Sequence, residues 1–440
     1  MTQDGERVAV EGDREDRISD LPRNVIDRIL ELLPVQDAAR TSILSRKWRY
    51  IWAMLPSLVL DVYLYLGLRR KSRSNFKEAV DDILLMHMGN IVKFVLDAYV
   101  LDDSEACFSS YDKSAVIDRW VLYVTRNGVK ELALCMSDDN TYRLPPSIFN
   151  CLTLTQLMLS YCVFKPPNSL VGFQNLITLA LSKITFVPTT SFCVIKAPRL
   201  ASLTLIGCHG TQYLNIVSPG LESLDIYDSF YYILLNCFMN CKNLRVVRVG
   251  IDGVVSYPEH NEKSTLEKLL VSVPALEVLC LDSFNVKLLS KDIVPNGLPF
   301  TLNCLWHLVL TVDFDKLGPI CCALQLIKNS PNLSKLEIWV HVISDEVEAV
   351  LKYLDTPSCL ERTLDKLEYV AISDFKSSKV ELSFVKLLLS RTPSLRRMCI
   401  VQRTDIDIDI ALELMRFPRA SPRAELFYSQ HKFLALDMDV

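Results

Sequence analysis

The chain has 440 residues, a formal net charge of -4 and a pI near 6.0. Half of its residues are hydrophobic and 23% are charged, which supplies ample material for packed cores and argues against general disorder. The near-neutral balance offers no basic field for holding phosphates, so nucleic acid is not an expected partner.

Residues 1–16 read as a charged, disordered tail with no apolar signal segment. A compact helical pattern follows over residues 17–57. Val25, Ile26, Ile29, Leu30 and Leu33 recur at steps of three and four and predict one apolar helical face. Pro22 suits the first turn, and Pro34 stops the helix. A second short helix is predicted to hold Ala38, Ala39, Ser42 and Ile43, and a third Trp48, Ile51, Trp52 and Leu55. Three helices in about 40 residues bury too little surface to be robust alone. Such a unit needs a partner or a following domain to cover its apolar side.

The apolar stretch from Ile51 to Leu68 contains Pro56, Ser57 and Asp61. It is expected to split into two soluble pieces rather than to cross a membrane. From about residue 58 to 360 the chain repeats the unit apolar-x-x-apolar-x-apolar, as in Leu154/Leu157/Leu159 and Leu333/Leu336/Ile338. Eleven copies run from Val129/Leu132/Leu134 to Leu395/Met398/Ile400, and Ile91/Phe94/Leu96 is a candidate early copy. The middle position falls at 132, 157, 179, 203, 224 and 247, at steps of 21–25 residues. It then falls at 279, 308, 336, 370 and 398, at steps of 28–34 residues. The short steps lie in the leucine-rich-repeat range. One unit cannot bury its own leucines, but a stack can. The expectation is an α/β solenoid, curved, with a parallel sheet on the concave face and helices on the convex face. The longer steps leave room for real helices, for example Ser344 to Leu354 and Val380 to Ser390. From residue 361 to 440 the repeat continues with a distinct wording.

Alternation along each repeat strand sends positions three, five and seven to the concave face. That selects Asp225, Tyr227, Arg248, Cys280, Asp282, His307, Thr311, Glu337 and Trp339 as candidate target-binding residues. An exposed Trp or Tyr beside charges is typical of binding hot spots.

Little in the sequence points to bond-making chemistry. There is no Gly-x-x-x-x-Gly-Lys-Ser/Thr, no Gly-x-Gly-x-x-Gly, no Gly-x-Ser-x-Gly and no His-Glu-x-x-His. The 14 Cys sit largely among leucines, as in Leu279-Cys280-Leu281, and read as buried structural thiols in a reducing compartment. Cys237 and Cys241, and the adjacent Cys321 and Cys322, lack partners at zinc spacing. No catalytic residue, metal or cofactor is expected.

The run Asp16 to Pro22 and the run Ala39 to Trp52 resemble plant F-box proteins. Val129 to Leu134, followed by Leu144-Pro145 and Ile148-Phe149, looks like the first repeats of that family. Leu367 to Val370, Glu381 to Lys386, Pro393 to Leu395 and Phe417 to Pro422 resemble its FBD extension. One departure stands out: where the family usually has a glycine shortly after the Phe375-type aromatic, this chain has Ser377. The turn there is expected to be lengthened or strained.

The resemblance implies the substrate-recognition subunit of an SCF-type ubiquitin ligase. Its F-box would bind a Skp1-like adaptor and, through it, a cullin-RING ligase, while the repeats hold a protein target. The implied adaptor-binding residues are Leu21, Pro22, Val25, Ile29, Leu30, Leu33, Pro34, Ala38, Leu44, Ser45 and Trp48, with Trp48 also able to serve internal packing. Ile26, Ile43, Ile51 and Trp52 are expected to pack inside the module. An intracellular location, nucleus or cytoplasm, goes with this reading. The alternative is a leucine-rich-repeat scaffold without ligase function.

Overall fold

The computed structural model describes residues 21–46, 48–69, 76–101, 110–137, 142–166, 172–187, 193–210, 214–227, 235–250, 265–293, 297–341, 348–360, 363–402 and 407–430. The expected N-terminal tail lies outside them. The chain divides into two compact units, Met1–Asp138 and Asp139–Val440.

The first unit begins with helices α1 (Arg23–Glu31) and α2 (Val35–Arg40). Pro22 and Pro34 occupy their N-caps, where a missing N–H costs nothing. Strand β1 (Ser57–Leu60), helices α3 (Val62–Arg69) and α4 (Phe76–Met86), strand β2 (Lys93–Asp97), helix α5 (Ser110–Arg126) and strand β3 (Glu131–Cys135) follow. The three strands pair in parallel, so that Leu58, Phe94 and Leu132 form one inward row and Leu60, Leu96 and Leu134 the next. All six are buried. Ile91/Phe94/Leu96 is therefore a true copy of the repeat, and β1 is a further one that the spacing did not reveal.

Two expectations for the helical region change. The stretch around Trp48 to Leu55 is not an α-helix. It is a run of tight turns ending in a 3-10 segment, Trp52–Met54, closed by bonds such as Ile51 N to Trp48 O at 3.3 Å and Leu55 N to Trp52 O at 3.1 Å. The second helix also tightens to 3-10 geometry over Thr41–Ile43. The tightened turn swings Ile43 outward, and it is 85% exposed rather than packed inside.

The second unit opens with helix α6 (Pro146–Phe149) and strands β4 (Gln156–Ser160), β5 (Val163–Phe164), β6 (Thr178–Ser182), β7 (Thr185–Phe186), β8 (Cys193–Lys196), β9 (Ser202–Ile206), β10 (Leu214–Val217), β11 (Ser223–Tyr227) and β12 (Val246–Gly250). Helices then enter the connections: α7 (Thr265–Ser272), β13 (Val278–Leu281), α8 (Ser283–Ile293), β14 (His307–Val312), α9 (Leu317–Lys328), β15 (Lys335–Val340) and α10 (Glu348–Leu354). Strand β16 (Tyr369–Phe375), helix α11 (Lys379–Arg391), strand β17 (Arg397–Gln402), helix α12 (Ile408–Arg416) and strand β18 (Glu425–Gln430) complete the chain. The helix expected over 344–354 thus starts at Glu348, its first residues lying outside the described ones. The helix expected over 380–390 spans Lys379–Arg391.

Strands β4, β6, β9 and β11 to β18 form one parallel array in that order. The middle leucine of each repeat meets its counterpart, from Leu157 and Leu179 through Leu308 and Leu336 to Val370 and Met398. These side chains are all but fully buried. A shift of one residue would turn the whole inward set to solvent, and this holds the register. Asparagines that open a repeat tie it to the one before: Asn175 Nδ2 donates to Leu152 O at 2.9 Å, and Asn332 Nδ2 to Asn303 O at 2.6 Å. The strain expected at Ser377 is present. Its φ is +62°, in the left-handed region, and Asp374 beside it has φ +56° where the β16–β17 register shifts.

Candidate docking and target-binding surfaces

In the first unit, Ile26, Leu30, Ala38, Trp48, Ile51, Trp52, Ala53 and Leu55 make one buried cluster, with Leu21, Ala39 and Ile83 against its edge. Ile83 comes from α4, so the following chain covers part of the small module. His87 is tied in as well, its Nε2 lying 2.8 Å from Leu55 O. Leu30, Ala38 and Trp48 therefore sit inside the core. Leu21 and Ser45 are half-buried. Pro22, Val25, Ile29, Leu33, Pro34 and Leu44 are exposed.

The α1 helix explains this division. Its Ile26 and Leu30 turn inward, and Val25, Ile29 and Leu33 form a second apolar stripe at steps of four on the outside. Leu32, Ile43, Leu44 and Tyr50 add to the exposed apolar surface. The core is complete without these side chains, so internal packing does not explain them.

In the second unit the alternation of strands places the selected polar residues on the open face of the sheet. Arg248 and Asp225 are register partners, and their ion pair is 2.9 Å. His307 Nε2 and Lys335 Nζ both approach Glu337 Oε1, at 3.0 and 2.9 Å. The hydrogen bond from His307 holds the Glu337 carboxyl at about 2, against the opposing effect of burial and with Lys335 assisting. Burial pushes the Tyr227 hydroxyl up, with the Asp225 charge adding to it. Trp339 and Thr311 are half-buried neighbours one step along.

Asp282 departs from the expectation. It lies past the end of β13, and its Oδ1 accepts the Asn285 backbone N–H at 2.9 Å and the Asn285 amide at 2.6 Å. It caps helix α8 and is committed to local structure.

Four residues extend this face beyond those selected from sequence. The Lys335 ammonium lies 5.5 Å from the Tyr369 ring centre, and the Arg397 guanidinium 5.2 Å from that of Phe427. His307, Lys335, Tyr369 and Arg397 are consecutive register partners, one row across four strands. The position-three rule already contained Lys335, Tyr369 and Arg397; the row becomes visible only when the strands are aligned.

Most of the described thiols are buried or half-buried as expected, but Cys304 is exposed. Burial pushes Cys193 and Cys322 up to about 12 and Cys280 up to about 11, far from a reactive thiolate. Cys241 Sγ donates to Ser218 O at 3.1 Å. The Cys237 side chain lies outside the described residues. No group of three or more His, Cys, Asp or Glu able to hold a metal occurs among the described residues, and no described helix is long and apolar enough to cross a membrane.

The F-box domain model matches residues 18–60. The model of the LRR repeats of FBD-associated F-box protein At5g56370 matches residues 117–251. The Arabidopsis thaliana F-box/FBD/LRR-repeat protein At1g13570 is 32% identical over 429 residues, covering 95% of this chain and 100% of the relative. The chain belongs to the F-box/FBD/LRR-repeat family. Two further Arabidopsis thaliana relatives span nearly the same length. The putative F-box protein At3g58860 is 27% identical, with 90% of each chain covered, and the FBD-associated F-box protein At5g56370 is 25% identical, with 94% of this chain and 100% of the relative covered. As an F-box protein it carries a module whose general role is to bind a Skp1-like adaptor, and no catalytic family is indicated.

Proposed function

We propose that this F-box protein is the target-recognition subunit of an SCF-type ubiquitin ligase in the nucleus or cytoplasm. The observation that carries the reading is the exposed apolar side chains Val25, Ile29 and Leu33, together with the exposed Leu44 of the same module, outside a core that is already closed. An exposed apolar patch of this kind on a small helical unit calls for a standing partner. A Skp1-like adaptor is the partner that the F-box implies.

The chain itself makes and breaks no bond in this reading. A target held on the repeat sheet is presented to a ubiquitin-charged E2 carried by the cullin-RING assembly. The gain comes from effective concentration. The target is held on the open face of strands β11 to β18, where Arg248, His307, Lys335, Tyr369, Trp339 and Arg397 gather. Trp, Tyr and Arg at the centre of a face are the residue types that dominate binding energy.

The test is co-purification of the full chain with a recombinant Skp1-like adaptor. The wild type is expected to form a stable complex, and Leu44→Glu to lose it, since a carboxylate would be buried unpaired at the interface. A wild type that captures no adaptor would leave a repeat scaffold without ligase function.

A further inference from the structure

We propose that the adaptor footprint runs past the F-box onto helix α3, through Tyr63 and Leu66; this rests on the adaptor reading above. Helix α3 carries no charged or amide side chain from Val62 to Leu68. Leu64 and Tyr65 are buried, yet Tyr63 is 69% exposed and Leu66 43%. A helix that is apolar all round is normally covered all round. The exposed pair therefore marks a side that lacks its cover in the isolated chain.

The neighbourhood says what covers it. Gly67 backs directly onto α2: a Cβ there would fall 2.3 Å from the Gln36 amide. Gln36 Nε2 donates to Tyr63 O at 3.5 Å. Tyr63 stands one turn before Gly67, on the flank that meets α2. Along α2 and its 3-10 extension, Arg40 and Ile43 follow Gln36 at steps of four and three, which leads to the exposed Ile43 and Leu44. Arg40 is paired with Asp37, so no unbalanced charge interrupts the row. The surface assigned to the adaptor thus adjoins Tyr63 through a polar row, the ion-paired Arg40 and then Gln36, which touches Tyr63 and Gly67. Asp61 holds the start of α3 in place, its Oδ1 accepting the N–H groups of Tyr63 at 3.0 Å and Leu64 at 3.1 Å. A partner that seats on Ile43 and Leu44 reaches helix α3 by following this row along α2, and the same adaptor is the occupant.

The experiment uses the full chain and a recombinant Skp1-like adaptor, with the dissociation constant measured by calorimetry. Tyr63→Ala/Leu66→Ala is expected to weaken binding about tenfold with an unchanged melting temperature, because both side chains are exposed in the free chain. Hydrogen exchange on the wild type should show new protection over residues 62–69 when adaptor is added. If Leu44→Glu abolishes binding while the double variant stays within twofold of wild type, the footprint ends at the F-box and this inference falls, with the adaptor reading intact. If the wild type binds no adaptor, both fall. If the chain self-associates in sedimentation and the double variant abolishes that association, the pair serves a second copy and the inference is overturned.

Discussion

The early and late repeats of the second unit share one sheet but are backed differently. Between β4 and β9 the steps are too short for long helices. The backing there is a ladder of rings: Phe164 meets Phe149 at 5.3 Å and Phe186 at 5.7 Å, both edge to face, and Phe173 lies 5.9 Å from Phe149. The two-residue strands β5 and β7 carry Phe164 and Phe186. From β14 onward the backing is helical, with Ile320, Leu324, Ile327, Phe384, Val385 and Leu388 buried from α9 and α11. The open faces differ as well. Strands β4, β6 and β9 present Gln156, Met158, Ser160, Thr178, Ala180, Ser182, Ser202, Thr204 and Ile206, with no charge among them. The late strands present charges and rings. Step length thus sets what backs the sheet, while the side chains at alternate positions set what the sheet can hold.

The largest expected effects break the two backings separately. Phe164→Ala removes a fully buried ring and its two edge-to-face partners, and should cost about 3–5 kcal/mol. Phe384→Ala, whose ring meets Phe314 at 5.3 Å, should cost a similar amount. Because repeats couple chiefly to their neighbours, the damage should be local. Hydrogen exchange should rise between residues 150 and 210 for the first variant and between 310 and 400 for the second. Uniform loss of protection along the unit in both variants would refute the division into two backings.

A middle-sized effect separates the two open faces by pH. Glu337 is held at about 2, below the ordinary carboxylate range, by His307 first and Lys335 after it. A depressed carboxyl stabilises the fold above its unfolded value near 4.5, and that contribution is lost as the pH falls toward 2. The early strands have no such group on their open face. Acid should therefore loosen β14 to β16 before β4 to β9. Glu337→Gln should remove roughly 1–2 kcal/mol at pH 7 and flatten this limb of the stability curve. An unaltered acid limb in the variant would show that Glu337 is not its source.

The repeat core was legible from sequence because a sheet with one buried face must alternate, and every middle leucine or its substitute obeyed. Less legible were features set by cross-strand geometry. The pairs Asp225–Arg248 and His307–Glu337 join residues 23 and 30 positions apart, and only the register brings them together. Asp282 looked like one more outward residue until the start of α8 took its carboxylate. In the F-box the apolar spacing identified the first two helices but not which stripe of α1 is inward, because Val25/Ile29 and Ile26/Leu30 are equally periodic. Ile43 was misjudged for a related reason: the choice between α and 3-10 geometry is made by packing, not by spacing.

The smallest effect concerns the turns that leave the strands. After β4, β6 and β9 the chain passes through the left-handed region at Tyr161, Lys183 and Gly207, with φ of 57°, 52° and 57°. Each donates its N–H to the next repeat: Tyr161 to Ser182 O at 3.0 Å, Lys183 to Ile206 O at 2.6 Å and Gly207 to Tyr227 O at 2.8 Å. In the late half the turn after β16 also enters the left-handed region, at Ser377, whose hydroxyl is buried without a hydrogen bond. What fixes the turn is the next residue and a buried acid. The Glu381 carboxylate accepts the N–H groups of Lys376 at 2.9 Å and Ser378 at 2.7 Å, and Ser378 Oγ accepts the Glu381 N–H at 3.3 Å. Ser377→Gly removes a left-handed penalty of about 1–2 kcal/mol and adds about 0.4–1 kcal/mol of unfolded-state entropy. The net expectation is a stabilisation of about 0.5–1 kcal/mol, read as a higher melting temperature, while Ser378→Ala should cost about 1 kcal/mol through the lost cap. A lower melting temperature for Ser377→Gly would mean that the Ser377 side chain stabilises the turn, and that its left-handed backbone is no liability.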